Sequence, residues 1–558
     1  MTSKHPRARH RRFLAVGFFP PEVPPCFYSE QLAKFRNSLL QDFEKLPKIK
    51  GEPDFYFYKS NRASFNFPRF NNSDRRHSFI NPIAYFFLSK ILSDNYVALR
   101  KITKKSKLSL SPSIFDWAGE RALKRPIFDS RDSYLAQLNA RFEYVLHTDI
   151  RAFYHSIYTH AISWAIHTKA FAKKNRSSKH VGNLIDLLCR NSQDGQTIGL
   201  PVGPDTSRMI AEIVGSAIDQ EVQQRTTLTN DSAMRFVDDL SFGCNSKQVC
   251  ERTIAIVRRA AFEFELDLNN EKTRIETSSA SHPGGWKNYV RSLIPKSPYS
   301  SQDIELFLYH VGKLAENDVG INIEKFAIQN ARRMFIECPD WKRAEQYLIS
   351  TYRRNSTIVG NLVEIFILRN STKHDLDGSN IRDLVESRLP TLCEQQKSGE
   401  AIWLLFLVVT LKLQISSKCL RGLLDEDDPL IAVLIADAFA KGLIQGAVSF
   451  TRWNKSLTDE GLDGPMWLYA YETTLKSINK SSKTSHVTGH RYFGRLYDKK
   501  IEFYRSGEGI YSITSVLKKL KKENAVTAKL FSIFDVDLNL DVDDIDEDDF
   551  LDSEDDVY

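Results

Sequence analysis

Two aspartates, Asp238 and Asp239, stand side by side between two short apolar runs in the segment MRFVDDLSFG (234–243). Asp is an ordinary turn residue, because its carboxylate bonds nearby backbone and tolerates unusual angles. Taken alone, the pair reads as an acidic turn. A third carboxylate changes that reading. Asp149 lies at the end of RFEYVLHTDI (141–150), a run with the aromatic and β-branched bias of a strand. A carboxylate at a strand end, beside a hairpin carrying two more, makes an all-oxygen cage. Such a cage suits a hard divalent cation, Mg²⁺ with Mn²⁺ as an alternative. Two ions of this kind can activate an attacking 3′-hydroxyl and stabilise a leaving pyrophosphate.

Two further segments fit that chemistry. QTIGLPVGPDTSR (196–208) is a Gly/Pro-rich loop, with Gly199, Pro201 and Gly203, that enters a helix near Ser207. Glycines let backbone approach a nucleotide or template closely. The alternative is a plain loop in which Asp205, Thr206 or Ser207 caps the helix. LDLNNEKTRIE (266–276) holds Lys272, either a solvated surface lysine or a cation reaching a triphosphate.

The elements that must position these residues are legible in outline. RFVDDLSFG reads as two short strands meeting at the aspartates. SRMIAEIVGSAIDQEV (207–222) places Met209, Ile210, Ile213, Val214, Ala217 and Ile218 on one helical face. VCERTIAIVRRAAFEFEL (249–266) is another helix. Beyond about residue 300 strand signals fade, and helical patterns follow at 303–315, 322–337, 341–353, 357–369, 400–413 and 429–443. Paired helices stacked as a HEAT-like solenoid are expected there, with a helical bundle as the alternative.

In their order, the chemical segments resemble the palm of reverse transcriptases over roughly residues 56–290. The resemblance implies that Asp149, Asp238 and Asp239 are the catalytic metal ligands. It makes Tyr154, in HTDIRAFYHSIY (147–158), the aromatic beneath the nucleotide sugar. It makes the Gly199–Ser207 loop the contact to template and incoming base, and Lys272 the lysine facing the triphosphate. Upstream, KSNRASFNFPRFNNSDRRHSF (59–79) occupies the fingers position. Lys59, Arg62, Arg69, Arg75 and Arg76 are candidates there, with Arg69 and Arg76 favoured. Val202 and Ser207-Arg208 stand where many members have Gln and Ser-Pro. The version GLPVGPDTSRMIAEI, with GFFPPEVPPCF near the start, resembles the abortive-infection and defence-associated reverse transcriptases of bacteria. That group implies a role in antiphage defence, a HEAT-like C-terminal domain and, for some members, untemplated DNA synthesis primed on a protein hydroxyl.

Composition agrees with a polyanionic partner. Residues 535–558 hold 13 Asp plus Glu and no Lys or Arg, so the net +7 of the chain corresponds to +20 on residues 1–534. A hydrophobic content of 42% excludes a disordered protein. Seven widely spaced cysteines without CxxC read as reduced thiols of a cytoplasmic protein. AIWLLFLVVTLKL (401–413) is too short to span a bilayer.

The expected fold is an α+β right-hand polymerase followed by an all-α HEAT-like domain. Residues 1–55 form an N-terminal basic arm and helical segment, and 56–300 the fingers and palm. Residues 301–534 form the helical domain and 535–558 an acidic disordered tail. Expected partners are deoxynucleoside triphosphates, a DNA product and an RNA template, with self-association left open and no membrane. A catalytically silent nucleic-acid-binding scaffold and the templated reverse transcriptase of a mobile element are the alternatives. An RNA-dependent RNA polymerase is disfavoured by Tyr154, whose bulk crowds a 2′-hydroxyl.

Overall fold

A computed structural model describes residues 5–70, 73–226, 228, 231–278, 285–317 and 321–506. The acidic tail and the lysine-rich LKKLKKEN (517–524) lie outside the described residues.

The strand-biased run before Asp149 forms β3 (Tyr144–Asp149). It lies between two antiparallel neighbours, β5 (Asp239–Cys244) and β6 (Arg274–Thr277), and β4 (Ala233–Phe236) closes the sheet beyond β5. Leu146, Leu240 and Phe242 are at most 1% exposed. The Lys247–Phe262 helix packs on β3 and β5, and the Asp205–Arg225 helix packs on that helix in turn. The Phe128–Arg141 helix also packs on the sheet, and its Tyr134 hydroxyl donates to the Ala233 carbonyl at 3.1 Å.

The Asp205–Arg225 helix buries more than the single face its sequence offers. Met209, Ile210, Ile213, Val214, Ala217 and Ile218 are buried, but so are Glu212, Ser216 and Asp219. The two acids are tolerated because Arg235 of β4 reaches both.

The fingers segment is a hairpin of β1 (Ala63–Pro68) and β2 (Asp74–Phe79), paired from Ala63↔Phe79 to Pro68↔Asp74. It leans on the Ser398–Leu411 helix. The Asn66 amide donates to Ser398 Oγ at 3.0 Å, and a Cβ on Gly399 would come within 2.6 Å of the Asn66 carbonyl oxygen. Only glycine permits that approach.

The basic run near the start is a helix, Pro6–Val16, in which Arg9, His10, Phe13 and Leu14 are buried. Just beyond it Phe18 is fully buried. Phe18 meets Tyr85 edge-on at 4.9 Å and Trp467 at 6.3 Å. Further on, the Tyr28 amide donates to the Phe503 carbonyl at 3.0 Å, and the Arg505 amide to the Cys26 carbonyl at 2.9 Å. No disulfide joins the seven cysteines.

Past residue 300 the described residues are mainly helical. The expected helix 322–337 breaks at Ala331 into Ile323–Asn330 and Arg332–Glu337. Gly378–Glu394 is a helix despite an internal Pro390. The region is not purely α, because β7 (Ile415–Ser416) and β8 (Ile444–Gln445) form a short parallel pair. The Ser398–Leu411 helix is sheathed by its neighbours Val359–Lys373, Gly378–Glu394 and Pro429–Ala440. Among the described residues no helix is long and apolar enough to cross a membrane.

Glu472, on the Trp467–Leu475 helix, is fully buried and accepts the Phe503 amide at 2.5 Å, which fastens the segment that pairs with Cys26–Tyr28. Burial pushes its carboxyl up to about 8, against the pull of Lys476. The folded protein therefore keeps Glu472 protonated where the unfolded chain has released the proton. The stability is present below the ordinary glutamate range and is lost as pH rises towards 8. Denaturant titrations at pH 5, 6, 7 and 8 should show this loss, at up to roughly 1.4 kcal/mol per pH unit. Glu472→Gln, which retains the acceptor, should flatten the dependence over the same range.

Candidate active site

The sheet register brings the acidic residues together. Asp149 ends β3 directly opposite Asp239, which begins β5. The Ile150 amide donates to the Asp238 carbonyl at 3.1 Å and the Asn269 amide to that of Asp149 at 2.7 Å, so all three backbones are tied. Between β4 and β5 the turn consists of Val237 and Asp238. Val237 takes φ +61°, an unusual value for a β-branched residue.

The carboxylates differ in their surroundings. Asp149 is 4% exposed and accepts Lys272 Nζ at 2.6 Å. Asp239 faces Arg131 Nη1 at 3.5 Å. No such cation among the described residues is in contact with Asp238; burial, then the charges of Asp239 and Asp149, push its carboxyl up to about 6. Among the described residues, no three His, Cys, Asp or Glu side chains stand ready-made around a cation. Lys272 and Arg131 engage two of the acids instead. The donor set is nevertheless all oxygen, and the charge of Asp149 is close enough to raise both Asp238 and Asp239, which fits a hard divalent ion.

Tyr154 sits one short turn after β3. Its hydroxyl is pushed up to about 12 by burial, against the pull of Arg208, with Asp238, Glu212 and Asp205 raising it further. It lines a small cavity with Phe153, Arg208, Glu212 and Val237. The structure thus sets Tyr154 within the field of Asp238.

The 199–207 loop lies against Tyr154, whose carbonyl accepts the Leu200 amide at 2.6 Å. Gly199 (φ +89°) lies against the His155 carbonyl, and Gly203 (φ +135°) against Pro20, where a Cβ would come within 2.4 Å of the ring. Pro201 sits between them, beside Val202, whose carbonyl accepts the Ser78 amide of β2 at 3.0 Å. Pro204 occupies the cap position, so none of the three expected residues caps the helix. Asp205 is instead fully buried, accepting Arg121 Nη2 at 3.1 Å and the Ala122 amide at 2.8 Å. Ser207 is buried in the first turn. The Arg208 guanidinium donates to the carbonyls of Leu123 and Lys124 at 3.3 and 2.8 Å.

The fingers arginines separate. Arg69 is exposed at the hairpin tip, its amide donating to the Ser73 carbonyl at 2.7 Å, and is not brought to the aspartates. Arg76 lines a cleft with Asn66, Gln396 and Asp427. Arg75 is the hairpin arginine whose charge acts on Asp238. Burial lowers the His155 imidazole, and Arg62, Arg75 and Arg76 lower it further, which marks a positive zone next to Tyr154. Arg131 and Arg235 carry no motif signal and were not expected at the site.

Because Asp238 is held among like charges, removing its charge should relieve repulsion. Without divalent ions at pH 8, Asp238→Asn is expected to unfold at a higher temperature than the parent chain, by on the order of 1–2 kcal/mol of stability. Calorimetry of the two proteins checks the sign.

Residues 89–300 match the family model described as reverse transcriptase (RNA-dependent DNA polymerase). No curated protein sequence matches the chain. Among solved structures, one of apo telomerase from Candida tropicalis is similar at 10% identity, covering 75% of this chain and 76% of that one, with a TM-score of 0.30. A score that low does not establish a common fold. The matched segment contains the β3 and β4–β5 aspartates, Tyr154, the glycine loop and Lys272. Residues 89–300 are therefore a reverse transcriptase domain, and the chain is by reaction class an RNA-directed DNA polymerase, a nucleotidyltransferase.

Proposed function

We propose that the chain adds deoxynucleotides to a hydroxyl at the Asp149–Asp238–Asp239 cluster, and that these three carboxylates hold Mg²⁺ or Mn²⁺. The observation that carries this reading is the register pairing of Asp149 with Asp239, with Asp238 raised by both. Reverse transcriptase domains generally use divalent metals, and such ions, when bound, supply charge neutralisation for the attacking and leaving oxygens. The chain's own residues do the rest. In this reading Lys272, half-exposed and anchored on Asp149, meets the triphosphate. Arg75, with Arg62 and Arg76, provides positive field on the fingers side. Tyr154 walls the space beside Asp238 and acts as the gate against a 2′-hydroxyl. The glycines of the 199–207 loop let backbone lie close to base and template.

Asp238→Asn should lower incorporation of labelled deoxynucleotides on a primed template by on the order of 10³-fold or more while the protein stays folded. Full activity would return the acids to a structural role and favour a silent nucleic-acid-binding scaffold. Tyr154→Val should raise the ratio of ribonucleotide to deoxyribonucleotide incorporation by roughly tenfold or more, read as a ratio of kcat/KM values.

A finer reading follows the resemblance of GLPVGPDTSRMIAEI to defence-associated enzymes: antiphage defence, with synthesis primed on a protein hydroxyl and without a template. What supports a changed template track is that Val202 and Arg208, at the departing positions, are engaged by Ser78, Leu123 and Lys124. In this reading residues 301–534 are a HEAT-like domain in place of a thumb, supported by the side-by-side packing of successive helices. Pure protein with labelled deoxynucleotides and Mg²⁺, but no primer or template, should then acquire protease-sensitive label, absent in Asp238→Asn. Label only with supplied primer and template would identify a conventional templated enzyme. Phage plating on bacteria carrying either form tests the defence role.

A further inference from the structure

One buried cation sits directly behind the aspartate turn. Arg235, in β4, is fully buried. Its Nε donates to both oxygens of Asp219, at 3.0 and 2.9 Å. Its Nη1 and Nη2 donate to Glu212 at 3.0 and 3.1 Å, and Nη1 also donates to the Val237 carbonyl at 2.9 Å. The two acids are further fixed by Ser106 and Ser216, at 2.6 and 3.2 Å. Gly215 makes room, since a Cβ there would stand 2.8 Å from the guanidinium carbon.

The Val237 carbonyl belongs to the peptide that precedes Asp238. On the other side of the same residue, the Val237 amide donates to Ser111 Oγ at 2.9 Å. A β-branched residue at φ +61° resists that conformation, so both polar groups of Val237 are clamped where strain would otherwise release the turn. The clamp also joins three elements that are far apart in sequence: the Asp205–Arg225 helix, the 108–111 segment and the hairpin.

We propose that Arg235, held by Glu212 and Asp219, is a positioning residue that fixes the Val237–Asp238 peptide and thereby the placement of Asp238 against Asp149 and Asp239. This rests on the reading of those acids as a metal-binding catalytic set. A cluster that served stability alone would change the folded fraction and leave the folded enzyme's rate and metal affinity untouched. A positioning cluster changes the folded enzyme itself.

Arg235→Lys retains the charge and loses the planar fork. It should weaken Mn²⁺ binding about 10-fold or more, measured by titration of the electron paramagnetic resonance signal. It should lower kcat roughly 100-fold, with KM for deoxynucleotide changed less than about threefold. If Arg235→Lys does not fold, combining it with Val237→Gly, which relieves the strained turn, separates the two roles. Glycine accepts φ +61° freely and keeps both clamped backbone groups, so the double variant should fold, with kcat about 10-fold or more below that of Val237→Gly alone. Ser111→Ala should act in the same direction more weakly. Parental kcat and Mn²⁺ affinity in folded Arg235→Lys or, failing that, values in the double variant equal to those of Val237→Gly alone would overturn the proposal. A parent chain that binds Mn²⁺ but incorporates no nucleotide would instead count against the catalytic reading, and the Mn²⁺ titrations would still decide the role of Arg235.

Discussion

Three carboxylates drawn to one end of a sheet repel one another, and the rest of the site answers that repulsion. Lys272 takes Asp149, Arg131 takes Asp239, and Asp238 is left with a carboxyl that holds its proton more tightly. Arg131 itself lies 5.6–5.7 Å from the ring centres of Phe128 and Phe236, so its approach to Asp239 is set by aromatic contacts. The cations are not interchangeable. One comes from the segment before β6 and the other from the Phe128–Arg141 helix, so the acids are braced from two directions.

Around this cluster the chain spends unusual backbone. Val237, Gly199 and Gly203 all take positive φ, and each lies where another segment presses close. The glycine loop is gripped by the fingers through Ser78 and by Arg121 through the Gly203 carbonyl, at 3.0 and 2.9 Å. Its conformation therefore depends on residues from the hairpin, from the 121–124 segment and from Pro20. A change in any of these would reach the substrate side of the site through the loop.

The acidic hairpin, the strand ending in Asp149 and the long helix after the loop were all legible, because each depends on local alternation or periodicity. What was illegible depended on partners distant in sequence. Asp205 looks like a helix cap, and only the fold brings Arg121 to it. Arg75 and Arg76 are adjacent in a strand, so their side chains leave on opposite faces. Sequence alone does not say which face meets the aspartates. Glu212 and Asp219 look like the wet side of an amphipathic helix until Arg235 is placed opposite them. The Gly378–Glu394 helix was hidden by Pro390 within it.

The bridge between Phe27 and Tyr504 has a bearing on how the protein comes into being. The stretch that supports the glycine loop from below, around Gly17–Tyr28, finds its own pairing partner only after residue 505 has been made. At roughly 5–20 residues per second on the ribosome, that interval lasts about half a minute to a minute and a half. For that time Phe18 lacks the Trp467 and Phe503 rings, and Phe27 the Tyr504 ring, that cover them in the finished molecule. A nascent chain with these rings bare is a natural client for a chaperone. Slow closure of this one contact would also delay the appearance of a competent polymerase until residue 505 has been made.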